Sequence, residues 1–279
     1  MRLERNFLMA EQNELIAKAC QKADKVINRD EIKLSDFAGS ADADRLRADE
    51  AYVAKREAEF AKVDSPEEVE GLKWSRVLEA LIHEQGEQSN WFGPDAVTIK
   101  TSRYDDIARG VDEVVQFRKE DAGLYFLGLA IDATYSHDAV KKLKTIREEI
   151  EKGTLASLRY FISEDADIKG EFNNIPRVIV GVDKKTVGEV AELWLGGKSK
   201  ELAAHPIQFQ ILEQILEQCE TFAKYAAKIG QNDVARKYES TASIIKDVLT
   251  EKQKTIKDSG TRDDVHFSIA TDLRTFENL

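Results

Sequence analysis

Residues 110–134 read GVDEVVQFRKEDAGLYFLGLAIDAT. Two apolar runs, VDEVVQF and LYFLGLAIDAT, flank the polar link RKEDAG. Runs rich in Val, Phe, Tyr, Ile and Leu favour extended strands. The charges and glycine of the link suit an exposed hairpin turn. The two runs are therefore expected to be neighbouring strands of one sheet. The second is nearly continuous in apolar residues, as a central strand buried on both faces requires. Asp112 stands at the head of the first run and Asp132 at the tail of the second. Carboxylates are seldom buried unless paired or bound to a cation, so these two aspartates form the leading candidate site.

Further strand-like runs lie on either side: AVTIKTS before this stretch, SLRYFIS and RVIVGVD after it. Between them HDAVKKLKTIREEIEKG reads as a helix, with Val140, Leu143, Ile146 and Ile150 on one face and Gly153 at its end. Strands interrupted by helices imply an α/β or α+β layer. The fold expected is a central mixed sheet of about four to five strands flanked by helices. Upstream, Ser65-Pro66-Glu67-Glu68 supplies an N-cap, a proline at the first helical position and a capping-box glutamate. The helix that follows carries Trp74, Val77, Leu78, Leu81 and Ile82 as its apolar stripe. Glu84 falls on or beside that stripe by spacing, and Glu79 is expected to point elsewhere. The first 62 residues are helical in pattern, and HPIQFQILEQILEQCETFAKYAAKIG followed by DVARKYESTASIIKDVLTEKQK predicts a C-terminal αα-hairpin. These patterns divide the chain into a helical extension (1–64), an α/β core (65–200) and a helical hairpin packed on the core (201–279).

Composition narrows the functional classes. With 279 residues, 42% hydrophobic and 33% charged, the chain is long and apolar enough to bury a sizeable core. A net charge of −11 argues against broad electrostatic attachment to nucleic acid or anionic lipid, while leaving room for a local basic groove. No stretch approaches the roughly 20 apolar residues of a membrane span. The first twenty residues hold only a short apolar cluster, so no secretory leader is expected. Cys20 and Cys219 form no metal-spacing motif and read as reduced thiols, which with the absent leader gives a cytoplasmic expectation. LGGKSK at 195–200 lacks the upstream glycine and strand-to-helix setting of a phosphate loop.

At the two aspartates the chain resembles the PD-(D/E)XK nuclease superfamily, the restriction-endonuclease-like fold. Its core runs helix, three strands, helix, strand, with an acid opening the second strand and a (D/E)-x-K triplet on the third. The resemblance covers residues 66–183. It implies that Asp112 is the acid of the second strand, Asp132 the first position of the triplet and Glu84 the acid of the first helix. Asp112 and Asp132 would then hold Mg²⁺, with Mn²⁺ as substitute. The triplet reads Asp132-Ala133-Thr134, so its lysine is missing. In the superfamily the following helix sometimes supplies that base, and Lys141, Lys142 and Lys144 are available there, Lys142 being the residue assigned.

Two functional readings stay open at this point. One is a metal-dependent nuclease, a Mg²⁺-dependent phosphodiesterase, or a degenerate nuclease-fold protein that binds nucleic acid. The other is a non-catalytic interaction protein whose terminal helices form a partner or self-association surface. The residues themselves also admit ordinary local roles: Asp112 beginning a strand, Asp132 ending one in a turn, Asp105 and Asp106 in a loop or helix cap. His83 reads as a surface or paired group, and His137 and His205 as helix-boundary residues.

Overall fold

The strand-rich middle of the chain folds between two helical regions. The computed structural model describes the backbone of residues 2–62, 65–119, 123–132 and 137–276, and the side chains of 11–62, 65–119, 123–131 and 140–276. In chain order, α1 (Arg2–Asp30) and α2 (Ala43–Phe60) precede α3 (Pro66–Gln88), β1 (Ala96–Lys100), α4 (Arg103–Arg109), β2 (Glu113–Lys119) and β3 (Gly123–Asp132). Next come α5 (His137–Glu151), β4 (Ala156–Ser163), β5 (Ile168–Ile175) and β6 (Arg177–Gly181). The chain continues through α6 (Lys184–Leu195), α7 (Ser199–Ala203), α8 (Ile207–Lys228), α9 (Asn232–Thr255) and α10 (Asp264–Leu273).

The fold is mixed α+β. A four-stranded sheet has the order β1-β2-β3-β6, and β4 and β5 form a separate two-stranded sheet. β1, β2 and β3 are antiparallel neighbours, with Lys100 opposite Glu113 and Glu113 opposite Leu129. β3 pairs in parallel with β6, Asp132 opposite Gly181. A parallel pair needs a crossover, and here α5 and the β4–β5 hairpin supply it. The inner half of β3 is buried on both faces from Leu127 to Ile131, as its unbroken apolar run predicted. Val115, Phe117, Leu127 and Leu129 join the main core with α3 and the C-terminal helices. Val111 and Val114 join a second core with Phe37, Tyr104, Tyr160 and Phe161.

Both edges of the sheet are covered, one by side chains of α8 and the other by Glu87 and the Ile32 backbone. β6 would otherwise expose a row of backbone groups, a ready template for strand addition. Gln218 of α8 accepts from Ile179 N–H (2.8 Å) and donates to its carbonyl (2.6 Å). Gln214 does the same for Gly181 (3.0 and 2.8 Å). Four helical residues advance about 6.0 Å and two strand residues about 6.6 Å, so glutamines four apart match alternate residues of a strand. At the other edge, Glu87 accepts from Thr98 N–H (3.1 Å), and Ile32 N–H donates to Lys100 O (3.4 Å).

The α3 start is as the sequence predicts: Ser65 caps the helix, accepting from Glu68 N–H (3.4 Å), with Pro66 at its first position. The α8–α9 hairpin also forms, with Ile211, Ile215 and Phe222 buried. Asp105 and Asp106 lie inside the first turn of α4, whose cap is Ser102. β5 and α6 were not legible as a strand and a helix. Cys20 and Cys219 are free thiols. No helix among the described residues is long and apolar enough to cross a membrane.

Candidate functional site: a buried ionic cluster at the mouth of β2 and β3

The site is assembled where α3 crosses the ends of β1 and β2. Glycine inside a helix costs about 1 kcal/mol relative to alanine, yet α3 carries Gly86. A Cβ there would lie 2.4 Å from Thr98 Cγ2, so the glycine lets α3 seat directly on β1. The Thr98 hydroxyl then donates to His83 O (2.8 Å), fixing the helix against the strand. Glu79 and His83, four residues apart, share the helix face turned to the sheet.

There they meet Lys100 and Glu113, cross-strand neighbours on β1 and β2. Lys100 Nζ lies 2.7 Å from Glu79 Oε1 and also donates to the backbone carbonyl of Asp112. His83 Nδ1 lies 2.9 Å from Glu113 Oε1, and its Nε2 lies 3.1 Å from Asp30 Oδ2 at the end of α1. Glu113 is fully buried and Lys100 is 1% exposed. Groups so enclosed survive as ions only through one another. Burial by itself lowers His83, but Glu113 and Asp30 outweigh it and raise the imidazole to about 9. Lys100 is likewise disfavoured by burial and held charged by Glu79, then Asp106, Glu113 and Asp112. Glu113 Oε2 is buried with no hydrogen-bond partner, so the cluster is rich in acceptor oxygens.

Asp112 joins this cluster to β3. Its N–H donates to Leu129 O (2.9 Å), and its Oδ2 accepts from Ile131 N–H (2.6 Å). Asp106 of α4 hydrogen-bonds with the same carboxyl and pairs with Arg103. Burial, then the neighbouring Asp106 charge, push Asp112 well above the usual carboxylate range, against the pull of Lys142. Burial also opposes ionisation of Asp106, but Lys100, the bond with Asp112 and Arg103 bring it below its ordinary value. The two acids are therefore pushed in opposite directions, Asp112 upward and Asp106 downward. Lys142 Nζ, from α5, donates to Ile131 O (3.5 Å).

Of the residues singled out from sequence, Asp112 and Lys142 thus meet around Ile131. Asp132 is the next residue along β3, with its backbone opposite Gly181. Its side chain, and with it the separation of the Asp112 and Asp132 carboxyls, lies outside the described residues. His137 opens α5, and its side chain is likewise outside them.

Glu84 is placed elsewhere: it accepts from Trp194 Nε1 of α6 (2.5 Å). The acid that α3 directs to the site is Glu79, which corrects the expectation from spacing. Five residues separate them, about 140° around the helix. α3 is enclosed by α1, α6 and the sheet together, so its apolar stripe does not single out the sheet-facing side. Sequence reasoning did not single out Lys100, Glu113 or Asp30; His83, read as a surface or paired group, is paired, and Asp106, read as a loop or cap residue, lies in the first turn of α4. One signal was present: Lys100 continues the inward phase of Ala96 and Thr98, so a strand over 96–100 had to bury it.

The oxygen donors here are those a hard cation prefers, and Mg²⁺ is commonly held by one or two carboxylates with substrate phosphate. Among the described residues no group of three or more His, Cys, Asp or Glu side chains is arranged to hold a metal ion. No family model matches the chain, and neither a curated protein nor a solved structure shows significant similarity to it.

Proposed function

We propose that this chain is a nuclease-fold protein that binds a divalent cation at the mouth of β2 and β3 and acts on a phosphodiester of nucleic acid. The observation that carries the reading is the meeting of Asp112, Asp106 and Lys142 around Ile131, one residue from Asp132. Support comes also from the order α3-β1-α4-β2-β3-α5-β4-β5-β6, which gives the helix, three strands, helix, strand of the PD-(D/E)XK resemblance once α4, between β1 and β2, and β4–β5, after α5, are taken as insertions. In this reading Glu79 takes the place of the helix acid in that resemblance.

A bound Mg²⁺ would supply Lewis acidity and an activated water. Asp112 and Asp132 would hold it, Asp112 being oriented by the Ile131 N–H. Lys142, whose ammonium already reaches this strand end, would stabilise negative charge developing on the phosphate. Lys100 is enclosed by carboxylates and serves as the internal counter-ion that lets so many acids share one place. A second reading, a non-catalytic interaction protein, is favoured by how fully Asp112 is engaged by backbone and Asp106.

The test combines thermal shift with cleavage of supercoiled plasmid and of labelled single-stranded DNA and RNA. Mg²⁺ or Mn²⁺ should raise the Tm of the wild type by binding the folded state. Asp132→Asn should abolish that rise while leaving the metal-free Tm nearly unchanged. Lys142→Ala should keep the rise and lose cleavage. A metal shift without cleavage in the wild type identifies a degenerate nuclease fold. With neither shift nor cleavage, the interaction-protein reading stands.

A further inference from the structure

The far end of β2 borders a second feature, unrelated to the ionic cluster. From Glu113 to Lys119 the strand runs about 20 Å at roughly 3.3 Å per residue. There a cleft of about 560 Å³ opens between the α3–β1 loop, the end of β2 and the last turns of α9. Its walls include Phe92, Phe117, Ile244, Val248 and Ile256. That size and apolar character are those of small-molecule sites, which add a few placed polar groups for orientation.

The placed group is Lys252, which lines the cleft and is 8% exposed. Its ammonium donates to Asn90 O and Gln208 Oε1, both at 2.6 Å. Gln208 is itself fully buried, and its amide nitrogen donates to Ala203 O (3.0 Å) and His205 O (2.9 Å), which turns its oxygen toward the lysine. Both partners of Lys252 are neutral. Of the other charged residues lining the cleft, Asp247 pairs with Lys119 (3.2 Å), Glu251 with Lys254 (2.6 Å) and Arg118 with Asp165 (2.9 Å), while Asp95 stands exposed on the α3–β1 loop.

A buried cation without a counter-ion is costly, and proteins ordinarily pair it. The carbonyl end of α9 offsets part of that cost, since Lys252 sits in its last turn. The offset is incomplete: burial still pushes the lysine down to about 8, with no carboxylate acting against it. An apolar cleft that ends in an uncompensated ammonium is complementary to a molecule with one negative charge and an apolar body.

We propose that this cleft binds a small amphiphile bearing a single carboxylate, the carboxylate set against Lys252 and the apolar body against Phe92, Phe117 and Val248. The probe is sodium octanoate, compared with 1-octanol as its neutral counterpart, on the full chain. Octanoate should raise the Tm of the wild type and bind at least tenfold more tightly than octanol by calorimetry. Lys252→Met should reduce octanoate affinity by tenfold or more and leave octanol unaffected, while Lys252→Arg should retain octanoate binding. Should the Met variant fail to fold, the NMR resonances of the Lys252 side chain in the wild type decide: octanoate moves them and octanol does not. Failure of octanoate to bind the wild type, equal affinity in Lys252→Met, or unmoved Lys252 resonances would each overturn the proposal.

Discussion

Replacing His83 with glutamine tests whether the buried cluster is held together by charge. In the folded protein the imidazole lies between Glu113 Oε1 at 2.9 Å and Asp30 Oδ2 at 3.1 Å, and its pKa rises from an ordinary 6.5 to about 9. At about 1.36 kcal/mol per pH unit, that rise is worth about 3 kcal/mol of stability. Because the folded pKa is the higher one, the contribution is fully present below pH 6.5. It fades as pH climbs, and is gone once pH has passed about 9. Lys100 and the arginines of the region stay protonated across that window, and Lys252, lowered to about 8, titrates alike in both proteins and cancels from the difference between them. Urea denaturation of wild type and His83→Gln at half-unit steps from pH 6 to pH 10 should show a stability gap that shrinks by about 3 kcal/mol. In a Glu113→Gln background the gap made by His83→Gln should lose most of its pH dependence, since Glu113 is the first opponent of burial at His83. A gap that stays constant from pH 6.5 to 9.5 would refute the argument, showing a neutral imidazole that serves as a packing group.

The closure of the β6 edge and the packing of α8 make two further claims. Gln218→Leu keeps the volume but strands the buried N–H and C=O of Ile179, at about 1–3 kcal/mol each. Denaturant titration should therefore register a loss of about 2–6 kcal/mol, and a loss under about 1 kcal/mol would mean that water or a shifted strand satisfies those groups. Ile211, 1% exposed on α8, should not tolerate aspartate: an unpaired charge in its place should lower stability by about 4 kcal/mol or more. An unchanged Tm in Ile211→Asp would contradict the packing of that helix on the core.

Sequence alone determined the elements whose information is local. Ser65-Pro66 starts α3 because a capping oxygen and a proline at the first position act within one turn. The apolar runs around residues 110–134 specify β2 and β3 because a strand buried on both faces needs no partner's sequence to be legible. The stripe from Ile207 to Ala226 specifies α8 for the same reason. β5 escaped because its IKGEFNNI is mostly exposed, with alternation diluted by Gly170 and two asparagines. The composition of the site was decided only by tertiary structure. Asp112 and Lys142 both reach Ile131, but Glu79 and not Glu84 faces the cluster, because α3 seats on β1 through the contact of Gly86 with Thr98, twelve residues away on another element. Glu113 and Asp30 carry no mark of their pairing in sequence, since a residue's partner is not written in its own neighbourhood. Gln214 and Gln218 look equally ordinary until β6 lies beside them. Local periodicity fixes which segments are helix or strand. Which charges and amides end up enclosed together depends on helix rotation and strand order, which many weak contacts distant in sequence settle jointly.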